Sequence, residues 1–273
     1  MSTIISNNQI FDGPRFGAYF KSYLGLNSRR LGLYALMVLI CSTVLTLFPL
    51  LIGDIGSPRT DGNDPMWGDV MISNVFLFLV VMAMAGTQMY SAFNSKAHRI
   101  SVLTTPASNF EKFLTWFIIY FAGMLVCFYV SMIIADVLRV LLAKGLYGMT
   151  WARVRPLGFV ITWKEGIDQE AYIGWIINLG AMLAFNVFAL GAMVWKNAPF
   201  VKTFAFMFGF IVLCIVILFN AFRFWFADTG IADRFNLDNC VTEIVVATGL
   251  ALNAFFCWLA YKRMTESESV VKW

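Results

Sequence analysis

The stretch RISVLTTPASNFEKFLTWFIIYFAGML, residues 99–125, decides how this chain is read. It opens polar and basic, turns at a proline, and runs straight into an apolar segment. That segment continues to about residue 135, so 113–135 exceeds the roughly 20 residues a helix needs to cross ~30 Å of hydrocarbon. Five more such runs lie at about 31–53, 70–93, 172–195, 203–222 and 241–261. The 273 residues are 60% hydrophobic and 13% charged, about half the charge of an ordinary soluble domain. The expected fold is therefore all-α, a polytopic membrane protein of six transmembrane helices over residues 31–261, flanked by a cytoplasmic segment 1–30 and a cytoplasmic tail 262–273.

Charge sets the expected orientation. With both termini in the cytoplasm, the inner segments hold twelve of the twenty basic residues and only four acids, Asp12, Glu111, Glu266 and Glu268. That distribution follows the positive-inside rule. The middle outer loop, 136–171, departs from it, with Arg139, Lys144, Arg153, Arg155 and Lys164. Asp136 and Arg139 stand three apart, the spacing of a helical ion pair. The loop reads as a charged helix extension outside the bilayer, with a substrate gate as the alternative. Trp67, Trp151, Trp163, Trp175, Trp195 and Trp225 fall near span ends, where indole rings act as membrane anchors rather than ligand cages. No charged start followed by a short apolar core marks a cleaved leader, so the first span is expected to serve as its own insertion signal.

Residues 14–30, PRFGAYFKSYLGLNSRR, place Phe16, Tyr19, Phe20, Tyr23 and Leu24 along one helical face. This is the pattern of an amphipathic helix lying in the cytoplasmic interface. The alternative is simply the start of the first span, bent at Asn27.

Several chemistries are excluded. His98 is the only histidine, so neither bis-histidine haem ligation nor a histidine-based zinc protease is possible. Cys41, Cys127, Cys214 and Cys257 lie within spans and Cys240 at a span end, with no disulfide or metal spacing among them. The central halves of the spans carry no Asp, Glu, Lys, Arg or His, which argues against an ion-driven carrier. They offer neutral groups such as Ser73, Asn74, Thr87, Gln88, Asn186, Asn220 and Asn253, suited to hydrogen bonds between helices. There is no phosphate-binding G-x-x-x-x-G-K-[ST] loop, so any nucleotide hydrolysis belongs to another polypeptide. No long basic run invites nucleic acid. An enzymatic role for this chain is not expected.

The loop NSKAHRISVLTTPASNFEKFL then takes on meaning. Lys96, His98, Arg99, Val102 and Leu103 suit one short helix with a basic and an apolar side. Pro106 disfavours helix at Thr105 and sets a turn. Ser108 as N-cap and Glu111 three residues on form a capping box that opens the third span. A short helix joined at a fixed angle to a span transmits force from a docked protein. An ordinary capped connection is the plainer reading.

This pattern resembles the permease subunits of type-2 ABC exporters, in which a Leu-Pro-small-Ser stretch followed by a basic residue leads from a cytoplasmic coupling helix into the third span. Leu103, Pro106, Ala107, Ser108 and Lys112 are the matching elements, and Thr104-Thr105 between leucine and proline departs from the commonest form. The six-span layout, the N-terminal interfacial helix and the AYKR exit at 260–263 are similar to the same family. The resemblance implies a permease that pairs with a second permease, identical or related, in the bacterial cytoplasmic (inner) membrane. It implies a separate nucleotide-binding ATPase, carrying ATP and Mg, that docks on Lys96, Arg99, Ser101, Val102, Leu103 and Pro106. This chain itself would hold no cofactor or metal. A membrane scaffold or assembly subunit is the alternative, and a carrier or scramblase working alone is a third.

Overall fold

The computed structural model describes residues 11–52, 67–91, 100, 105–149, 152–154, 169–195, 197–225 and 237–269. Every regular element among them is helical. The long ones are α1 (Gly13–Ile52), α2 (Trp67–Met89), α3 (Asn109–Phe117), α4 (Met124–Tyr147), α5 (Gln169–Val194), α6 (Pro199–Trp225) and α7 (Leu237–Ser269). A π-helical turn, Ile118–Gly123, joins α3 and α4. By length and composition, Gly13–Leu51, Gly68–Met89, Asn109–Leu146 and Gly174–Val194 can each cross a membrane. Pro199–Cys214 is a shorter apolar helix. The expected spans 203–222 and 241–261 fall within α6 and α7. These helices are those of a multi-pass membrane protein.

The chain divides into two compact units. One comprises Met1–Val81, Ser95–Pro156 and Tyr261–Trp273; the other Met82–Asn94 and Leu157–Ala260.

In the first unit α1 packs on α3 and α4. Residues 14–30 and 31–53 were expected as two elements, yet Gly13–Ile52 is one 40-residue helix. Its only internal proline is Pro49, in the last turn, so nothing earlier interrupts the backbone ladder. At 1.5 Å per residue it is about 60 Å long, twice a hydrocarbon core of ~30 Å. The aromatic face of 14–30 is partly covered: the Phe16 ring packs on Phe11 and Phe20, and Tyr23 on Trp116, while Leu24 stays exposed.

Further along, Val38, Ser42, Thr46 and Leu50 are buried at a spacing of four. Asn74 of α2 accepts from the Ser42 hydroxyl at 3.3 Å and donates to Thr46 Oγ1 at 3.1 Å. It also donates to the Val70 carbonyl at 2.9 Å, so this buried amide is well satisfied. Ser73 and Thr87 bond back to carbonyls of their own helix.

In the second unit α5 packs on α6. Asn186 donates to Asn253 of α7 at 3.0 Å, and Asn253 donates to the carbonyls of Leu179 and Gly249. Gly86 lies directly against the Phe185 carbonyl, and Gly191 against the Thr203 side chain, approaches that a Cβ would block.

Candidate functional site

The segment between α2 and α3 is the place where sequence and structure converge. Lys96, Arg99, Ser101, Val102 and Leu103 lie outside the described residues, and so does the short coupling helix expected there. The Ala107 amide donates to the Thr105 carbonyl at 2.8 Å, a three-residue turn centred on Pro106. Proline suits that centre because its φ is already set by the ring.

Ser108 follows in an extended conformation, φ −69° and ψ 157°, and α3 starts at the next residue. The Ser108 hydroxyl accepts from the Glu111 amide at 3.2 Å, while Glu111 Oε2 accepts from the Ser108 amide at 2.9 Å. Both halves of the capping box are therefore formed, and the Lys112 amide donates to the Ser108 carbonyl as the first helical bond.

A capping box uses only part of a carboxylate. The remaining capacity of Glu111 is taken by the beginning of α1, almost one hundred residues earlier. The Asp12 amide donates to Oε1 at 2.8 Å. The Arg15 Nε reaches Oε1 at 3.1 Å and Oε2 at 2.9 Å, and Nη2 reaches Oε1 at 2.8 Å. This forked geometry is the strong form of an arginine–carboxylate pair. Glu111 is fully buried, whereas the Arg15 side chain keeps 33% exposure.

Glu111 stands two residues ahead of the apolar run 113–135. Burial pushes its pKa up, and the hydrogen bonds from Arg15, Ser108 and Asp12 pull it down further, to about 2. It is a fixed negative charge at the positive end of α3, where the helix dipole also favours it.

Aromatic rings close around this joint. Phe110 and Phe113 both meet Tyr261 edge-on, at 6.5 Å and 5.4 Å between centroids. Tyr261 belongs to the AYKR exit at 260–263, so the start of α1, the start of α3 and the end of α7 meet here. One turn deeper, Trp116 is fully buried and the Tyr23 hydroxyl lies 3.3 Å from that of Tyr120 in the π-helical turn.

Sequence reasoning placed Ser108 and Glu111 together and missed Arg15 and Asp12. No short-range pattern links them. The available signal was the unused acceptor capacity of a buried cap carboxylate.

Midway along α4, Arg139 Nε donates to Asp136 Oδ1 at 2.9 Å, and both side chains are buried. Arg139 Nη2 also donates to the Arg153 carbonyl at 3.4 Å. Beside them Leu50, Val140, Ala143, Met149 and Ala152 form an apolar cluster. The helix does extend past the expected span end, to Tyr147, and within that extension the pair is a buried tie between α4 and residues 152–154.

Among the described residues no group of three or more histidine, cysteine or acidic side chains is placed to hold a metal. Comparison with known protein families, with curated proteins and with solved structures finds no match to this chain.

Proposed function

We propose that the chain is the permease of an ATP-driven exporter of the type-2 ABC kind: six spans in the bacterial inner membrane, both termini cytoplasmic, working beside a second permease. A separate ATPase, binding ATP and Mg, docks on the 94–112 loop through Lys96, Arg99, Ser101, Val102, Leu103 and Pro106. The observation that supports this reading is the joint at Glu111. A turn at Pro106 leads directly into a capped helix, and the same carboxylate that completes the cap grips the start of α1. A push on the loop is thereby delivered to two long apolar helices at once.

The test is gentle purification from native membranes with mass spectrometry of what stays bound. A nucleotide-binding ATPase in near-equal amount is the expected result. Its reproducible absence, with another membrane complex in its place, would overturn the transport reading and favour the scaffold.

A further inference from the structure

We propose that Arg29 and Arg30 form a docking point for the phosphate groups of anionic lipids. The inference depends only on α1 entering a membrane and holds with or without an ATPase partner.

The argument starts from which way α1 faces. Phe16, Tyr19, Tyr23 and Asn27 lie on its partly buried side, in register with Val38 and Ser42. The opposite side loses its charges along the helix. From Leu33 onward it presents exposed apolar side chains, Leu33, Leu36, Ile40, Val44, Phe48 and Leu51. Before that point the exposed charges are Lys21, Arg29 and Arg30. Leu24 and Leu26 are exposed ahead of the arginines as well, and Arg30 is the last charge on α1, three residues or about 5 Å before Leu33.

A bilayer of ~40–45 Å with a core of ~30 Å leaves roughly 5–8 Å for each headgroup layer. Guanidinium groups one turn ahead of the apolar row reach that layer, and their planar fork matches a phosphate. Gly13–Ile52 contains neither aspartate nor glutamate, so α1 itself supplies no competing anion. Arg30 is pre-positioned: its Nε donates to the Tyr34 hydroxyl at 3.1 Å, and its guanidinium lies 5.7 Å from the centre of that ring. A Cβ built on Gly25 or Gly32 meets nothing within 4 Å, so the flanks of the arginine pair are open. The occupant is a lipid and not an acidic protein because the same face runs on from Leu33 to Leu51 as exposed apolar side chains with no charge among them, a surface that suits acyl chains.

The test uses the full chain reconstituted in phosphatidylethanolamine bilayers with and without phosphatidylglycerol, reading retained lipid by native mass spectrometry. Each cation near the surface is worth about fivefold in anionic-lipid binding, so R29Q/R30Q should lower phosphatidylglycerol retention about 25-fold and leave phosphatidylethanolamine unchanged. R29K/R30K should keep the preference. Lys21→Gln, twelve residues or about 18 Å from Leu33, should change little. Should the double variant fail to accumulate, Arg29→Gln alone carries the test, with a loss of about fivefold expected. Unchanged retention in R29Q/R30Q, an equal loss in K21Q, or an acidic protein held at this face in native membranes would each overturn the proposal.

Discussion

Glu111→Gln separates two functions that one side chain combines. Glutamine is accepted at the third position of a capping box, so the start of α3 should survive. What it removes is the counter-charge of Arg15, which now donates three close bonds to the carboxylate. Breaking a wholly buried ion pair costs about 3–5 kcal/mol. Arg15 keeps 33% exposure and recovers part of that from water, so about 2 kcal/mol is expected, near the value of a charged hydrogen bond. Every 1.4 kcal/mol is tenfold, so local opening at residues 12–20 should become roughly 30-fold more frequent. Amide hydrogen exchange of the detergent-solubilised protein reads this directly. Arg15→Ala should produce a similar rise, and R15A/E111Q little more than either alone, because both single changes remove the same pair. Exchange at the start of α1 that is unchanged in E111Q, or effects that simply add, would refute the reasoning.

Ser108→Ala strikes the other half of the joint and should cost about 0.5–2 kcal/mol, seen as faster exchange at the amides of residues 109–112 with α1 unaffected. Replacing Arg99 and Leu103 together by Asp should uncouple ATP hydrolysis from transport while leaving insertion intact; unchanged copurification and ATPase stimulation would count against the docking assignment. Gly86→Ala sets a methyl against the Phe185 carbonyl, backbone that cannot swing away, and should lower stability by about 1–3 kcal/mol in a thermal assay. Because the pKa of Glu111 is depressed from 4.5 to about 2, its contribution to stability is fully present above pH 4.5 and lost as pH falls through about 2. The infrared difference between wild type and E111Q should still show an ionised carboxylate between those values.

Much of this fold was legible because membrane helices announce themselves by length and composition, and a capping box by four consecutive residues. Ser108 and Glu111 needed no tertiary information, since the box is closed within one turn. The aromatic face at 14–30 was legible as a face but not as to what covers it, for a physical reason. A row of Phe16, Tyr19, Phe20 and Tyr23 buries equally well against lipid or against protein, and periodicity cannot distinguish the two. The structure sets Tyr23 of this row against Trp116 and leaves Leu24 exposed. The Arg15 partner was hidden because it lies 96 residues away in the chain. The basic excess of the outer loop, which counted against the topology, includes Arg139, a charge already neutralised inside the protein by Asp136. At Gly86 and Gly191 only the close approach of neighbouring atoms shows why nothing larger stands there.

The unbroken length of α1 has a mechanical consequence. Arg15, near one end, is clamped to the start of α3, while Ser42, Thr46 and Leu50, near the other, are packed within the same unit. Some 35 residues, about 52 Å of continuous helix, separate Arg15 from Leu50. A rod of that length amplifies: tilting it by ~5° about one end displaces the other by ~5 Å, close to a full helical turn. Motions at Pro106 too small to remodel a loop would be geared up into displacements comparable with the width of a side chain at the opposite end of the rod.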